Sequence, residues 1–218
     1  MPFSKYLEEG ALGLYFGDTT TGAGTPPATY EVGLVLQCFQ LSTSLTAGTA
    51  YTSLACATDT VAYAIASGDT ILIGTGSTTQ AVVASAAAAV GATSISVNSF
   101  IANATYAVGT PGIRCDVYAT AQEVSTTSTG YARVAVTNST TNFNTPSGGS
   151  PASVTNKTAI TFPQATASWG TVAGFLLGDN ATLGSGNIWG YGMLNAAQVI
   201  SVNNTPSFAA GALTITLY

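Results

Sequence analysis

The amino-acid sequence predicts an all-β fold, and three observations predict it. The stretch Asn156 to Phe175, NKTAITFPQATASWGTVAGF, alternates Ile160 and Phe162 with Thr161 and stops at Pro163. It resumes at Trp169 as a run that is apolar or small on both faces, which reads as strand, turn and buried strand. A partner, GYARVAVT at 130–137, sets Val134 and Val136 on one face. Between residues 40 and 113 the chain is a series of short alternating runs divided by small-residue turns, the pattern of β-hairpins.

Taken in order, Phe3, Leu7, Ala11 and Leu14 fall at helical spacing behind Ser4, a suitable N-cap, with Gly17 as a stop. A short amphipathic N-terminal helix is expected. Its stripe either caps the core of its own domain or presents Phe3, Tyr6, Leu7 and Leu14 as an interface to a partner. Residues 18–28, DTTTGAGTPPA, are a loop by composition. Tyr30 to Phe39 is a continuous apolar strand pattern, as for a strand covered on both faces.

The texture then changes. Strands are expected at Thr60–Ile65, Thr70–Ile73, Gln80–Ala84, Thr93–Val97 and Thr105–Val108, and ASAAAAVGA (84–92) reads as strand and turn. Gly74-Thr75-Gly76 begins like a phosphate-binding loop, but no third glycine and no Lys-Ser/Thr follows, so a hairpin turn is expected. The first texture resumes from Val117 to Val124 and ends in Leu213, Ile215 and Leu217 alternating with polar residues. The two textures divide the chain into a discontinuous base, 1–37 with 116–218, and an inserted β-module, 38–115. Phe162, Trp169 and Phe175 are the candidate core anchors of the base.

Composition excludes more than it proposes. Charged residues make up 6% of the 218 positions, the net charge is −5, and Lys5, Arg114, Arg133 and Lys157 are the cations. No basic stripe exists to neutralise phosphates, which argues against nucleic-acid binding. Residues 70–113 carry no charge, but glycines and hydroxyl side chains break every window that would otherwise span a membrane. The N-terminus MPFSKYLEEG lacks the apolar core of a secretion signal.

With no histidine there is no usual general base and no Ser-His or Cys-His pair, and the carboxylates stand in no paired context, so no enzyme and no cofactor are expected. Cys38, Cys56 and Cys115 form neither a disulfide framework nor a zinc pattern and read as buried small hydrophobes. Cys38 and Cys115 sit at the two joints between textures, where side-by-side entry and exit strands would bring them within bridging reach. Arg133 is expected in a surface or rim ion pair. Five Asn-x-Thr triplets, at Asn103, Asn138, Asn156, Asn180 and Asn203, follow from the abundance of these residues.

Five blocks occur in one order: SKYLEE (4–9), PPATYEVGL (26–34), GYARVAVTN (130–138), NKTAITFPQATASWGTVAGFLLGD (156–179) and SFAAGALTITL (207–217). Together they resemble a family of small tailed-bacteriophage virion proteins, tail-fibre-like or capsid decoration (cement) proteins. The middle piece is similar to a β-module of phage capsid and decoration proteins. The resemblance implies a non-enzymatic structural protein with a β-sandwich base, Ig-like or jelly-roll-like. It would sit on the virion surface after synthesis in the host bacterial cytoplasm and cement the capsid by bridging neighbouring subunits. Its partners would be the major capsid protein and neighbouring copies of itself, as a homo-oligomer. The alternative it implies is a tail-fibre or receptor-binding module, in which exposed aromatics such as Tyr51, Tyr63, Tyr106 or Trp189 would contact host glycan.

Overall fold

In the computed structural model, which describes residues 27–57, 61–115, 122–145 and 153–216, every regular element is a strand except one 3-10 turn at Gly76–Thr78. The all-β class is the class observed. In chain order the strands are β1 (Thr29–Leu36), β2 (Phe39–Gln40), β3 (Ala50–Ala55), β4 (Thr70–Ile73), β5 (Gln80–Val83), β6 (Ser94–Ile101) and β7 (Pro111–Cys115). After these come β8 (Val134–Thr137), β9 (Ser153–Thr155), β10 (Ile160–Thr161), β11 (Gly170–Gly178), β12 (Ile188–Ile200), β13 (Ser207–Phe208) and β14 (Thr214–Thr216). All named pairings are antiparallel. The expected N-terminal helix, with Phe3, Tyr6, Leu7 and Leu14, lies outside the described residues.

The flanking segments build a sheet in the order β12-β11-β1-β8. Side chains alternate across its pleat, and both faces are covered at its centre, which is why residues 32–36 of β1 and 172–178 of β11 read as apolar or small without a break. On one face Val32, Leu34, Val172, Phe175 and Leu177 join Phe162, Trp169 and Trp189 in a core. On the other, Val35, Ala173 and Leu176 meet Leu72 and Ile113 from the middle of the chain. The β10–β13 and β9–β14 ladders supply Ile160, Phe162, Phe208 and Leu213 to the first core. Bonds from Ala165 N–H to the Asn204 carbonyl and from Trp169 N–H to the Ile200 carbonyl join β10/β13 to β11/β12 as one ribbon.

The middle segment closes on itself. One sheet runs β2-β7-β4-β5, the other is the β3–β6 ladder. Bridges Leu41–Cys56 and Ala84–Val97 join the two at both borders. Closure removes the free edges that would otherwise recruit foreign strands. Ile71 and Ile73 point into this segment's own core while Leu72, between them, points into the seam with β1 and β11.

Strands are expected at Thr60–Ile65 and Thr105–Val108, but residues 61–65 and 105–108 carry only one isolated bridge each, at Ile65 and Tyr106, and lead into turns. They belong to a fourfold repeat of one device. A buried residue (Leu41, Val61, Ala84, Ala102) is followed four positions on by a buried anchor (Leu45, Ile65, Ala88, Tyr106) and three further on by a glycine at positive φ (Gly48, Gly68, Gly91, Gly109). The anchors pair as Leu45 with Tyr106 and Ile65 with Ala88. The glycine N–H groups bond reciprocally, Gly48 to the Ala102 carbonyl and Gly109 to Leu41, Gly68 to Ala84 and Gly91 to Val61. A pseudo-twofold relation between the halves follows from this reciprocity. The Gly74-Thr75-Gly76 segment forms, with the 3-10 turn, the loop of the β4–β5 hairpin.

Candidate functional site

The most polar point in the interior is built where three segments cross. Residues 122–124 extend the sheet alongside β1: Val35 bridges Glu123, Leu36 N–H donates to the Gln122 carbonyl (2.6 Å) and Val124 N–H donates to Leu34 (3.2 Å). This places Glu123 beside Arg133, which reaches in from just before β8. Arg133 Nε donates to Glu123 Oε1 (2.8 Å) and Nη2 to Oε2 (2.7 Å), a bidentate pair, while Nη1 donates to the Asn180 carbonyl (2.6 Å). Tyr131 completes the centre: its hydroxyl donates to Glu123 Oε1 (2.7 Å) and accepts from Leu34 N–H (2.8 Å). The room for the carboxylate comes from Gly33, where a Cβ would stand 2.6 Å from Glu123 Oε1.

Arg133 is therefore not in the surface or rim pair that its neighbours Ala132 and Val134 suggest. The side chains of the pair are 1% and 0% exposed. Burial opposes the guanidinium charge, but the hydrogen bonds and charge of Glu123 more than offset it and hold the Arg133 pKa above its ordinary value. Burial, then the charge of Glu123, pushes the Tyr131 pKa well above the ordinary value. Such a centre fixes three segments in register; every charge in it is already answered, so it offers no group to a substrate.

Phe162, Trp169 and Phe175 are buried in the adjoining core. Tyr131 stacks on Phe162 (6.3 Å between centroids) and meets Trp169 edge-on (5.2 Å); Phe208 meets Phe162 (6.1 Å) and Phe175 (5.8 Å) edge-on. Trp169 Nε1 donates to the Thr129 carbonyl (2.8 Å), which satisfies its polar edge.

No disulfide joins Cys38 to Cys115. The entry and exit strands do run side by side, but Cys38 N–H donates to Gly112 and Cys115 pairs with Thr70 of β4, which sets the two out of register. Cys38 Sγ donates to the Tyr63 carbonyl (3.7 Å) and Cys56 Sγ to Leu54 (3.7 Å). Burial pushes the Cys38 thiol up to about 11 and the Cys56 thiol up to about 12, so neither is a nucleophile at neutral pH.

Of the aromatics named as glycan platforms, Tyr106 and Trp189 are buried and Tyr51 and Tyr63 are half-buried. Trp189 packs in the core, and the Tyr106 hydroxyl donates to the Thr78 carbonyl (2.8 Å) and is pushed up to about 12 by burial. Tyr51 packs against Phe100 (6.0 Å).

Two residues that carry the architecture escaped the sequence reading. Asn156 is fully buried, donates to the Thr158 and Ala209 carbonyls (2.8 Å each) and accepts from Leu213 N–H (2.8 Å). One side chain thus holds the last strand-bearing segment against β10. Asp179 accepts from Asn187 N–H (2.7 Å), Asn187 Nδ2 (3.0 Å) and Trp189 Nε1 (3.3 Å), closing the β11–β12 turn. Asn156 lay hidden in an Asn-x-Thr triplet; nothing but its place before a strand distinguishes it from the other four. Among the described residues no group of three or more His, Cys, Asp or Glu could hold a metal ion, and no helix is long and apolar enough to cross a membrane.

No curated protein and no solved structure matches the chain. The model of one protein family, described as podophage GP4 fiber I protein gp80, matches residues 95–216. The match opens in β6, inside the middle segment, and runs through the crossing at Arg133, the aromatic row and Asn156 to the last strand. It covers more than half of the sequence: the chain belongs to the family of the podophage GP4 fiber I protein gp80, and with it to the tail-fibre-like structural proteins of phage virions.

Proposed function

We propose that the protein is a non-enzymatic fibre component on the outside of a podophage-type virion, one that carries the middle segment toward the host surface. The observation that carries this reading is the family match over residues 95–216. The chemistry supports it: Glu123, Asp179 and Asp69 are each engaged in a structural bond, the last with Arg114 (3.2 Å). In this reading the outer pieces, 1–37 and 116–218, are a β-sandwich base and 38–115 is an inserted module. The separate core of the middle segment and its closure at both borders support that division. The partners are neighbouring copies of the chain and the host envelope, with no cofactor and no nucleic acid.

Cementing of the capsid is the second reading. The 6% charge favours it, because a surface so sparsely charged tolerates contact with many copies of one lattice. Copy number separates the two. Densitometry of purified virions is expected to give a small multiple of the number of fibres; hundreds of copies per particle would favour the capsid lattice.

A further inference from the structure

Gln122 lies where the chain crosses between the sheet and the middle segment, and it touches both crossings. Its backbone carbonyl accepts from Leu36 N–H (2.6 Å) at the end of β1, and its side-chain Oε1 accepts from Arg114 N–H (2.9 Å) near the end of β7. The residue is 1% exposed, and its Nε2 meets no acceptor of the protein. Holding the amide there strands a buried donor or immobilises a water on it, and both cost free energy. An apolar side chain would fill the space without that cost, so the Oε1 bond is what the position requires.

The place of this bond gives it leverage. Residues 122–124 lie along β1 on the side away from β11, so the order across the sheet is 122–124, β1, β11, β12. At the opposite edge the 3-10 turn of the middle segment closes on the bulge of β12, where a Cβ at Gly76 would overlap Asn195 Oδ1. Between the two edges Val35, Ala173, Leu176 and Met193 meet Leu72 and Ile113, and such apolar contact has no preferred direction. We propose that Gln122 is a hinge clamp: the middle segment rocks on the sheet about the crossing, and the Gln122–Arg114 bond holds it seated. The crossing is the pivot because the chain passes there twice, whereas Gly76 and Asn195 meet through space. Loosening the clamp therefore opens the seam first at the β12 edge. The motion is independent of where on the particle the protein sits, so its failure would leave the fibre reading standing.

Thiol labelling of the full chain under native conditions tests it, in a Cys115→Ser background that keeps the buried Cys38 and Cys56 as slow natural thiols. Met193→Cys reports the β12 side of the seam, Val82→Cys the core of the middle segment and Leu177→Cys the core on the other face of the sheet. Each rate with dithionitrobenzoate is normalised to that of the same variant unfolded in denaturant. With Gln122 in place, Met193→Cys is expected to react at least about tenfold faster than the two core cysteines, through an opening smaller than global unfolding. Gln122→Met is expected to speed Met193→Cys at least about tenfold further and to leave the core cysteines unchanged. A bond that mattered only to Arg114 would not move the rate at Met193, on the opposite edge strand. One common rate for all three cysteines with Gln122 in place would overturn the proposal, as would a Gln122→Met change that accelerates none of them or all of them alike.

Discussion

Arg133 shows how much a single buried residue holds. Removing it leaves the Glu123 carboxylate buried and uncompensated, so Arg133→Met is expected to cost about 3–5 kcal/mol in chemical denaturation. The double variant Arg133→Met/Glu123→Leu is expected to recover much of that loss, since replacing both charges by apolar groups removes the desolvation burden. Asn156→Ala leaves the Leu213 N–H without its acceptor and frees two carbonyls, for an expected loss of about 1–3 kcal/mol. The buried thiols and tyrosines predict an alkaline limit. Their folded pKa values lie above their unfolded ones, so the neutral forms contribute stability that is fully present below about pH 9. That stability is lost as pH rises toward about 11 for Cys38 and about 12 for Cys56 and Tyr106. The melting temperature is expected to be level up to about pH 9 and to fall above it, less steeply in Cys56→Ala.

At the scale of elements, the seam between the middle segment and β11 depends on close approach. A Cβ at Gly174 would stand 2.7 Å from Ile113 Cδ1 and 2.7 Å from the Gly192 carbonyl. Gly174→Val is expected to destabilise by about 1–3 kcal/mol, as overpacking does, and a volume-reducing second change, Ile113→Val, to recover part of it in the same denaturation series. The strands of this region were legible. A run apolar on both faces, such as GTVAGFLLG, means a strand covered on both sides, and Val134 with Val136 announced β8. The fourfold turn was not legible, because its anchors are as unlike as Leu45, Ile65, Ala88 and Tyr106 and only the glycines are constant. These fall 20, 23 and 18 residues apart (48, 68, 91, 109), an unequal spacing that masks a period. Tyr106 and Val108 mimic strand alternation for the same reason: an anchor and a tip residue two apart. The Arg133 pairing was invisible, since Glu123 lies ten residues away and becomes a neighbour only when residues 122–124 lie along β1.

For the whole molecule, two bodies of β-structure share one seam: a ring closed at both borders, and a sheet covered on both faces. Apolar contact and satisfied polar groups hold it together, with few charges, which suits a part that transmits shape rather than chemistry. On the reading proposed above, this structural protein belongs to the fibres of the particle. Electron microscopy of intact virions labelled with a gold-conjugated antibody against the middle segment tests it most directly. Gold confined to the fibres at the tail vertex is the predicted result, and gold spread evenly over the capsid shell would contradict it.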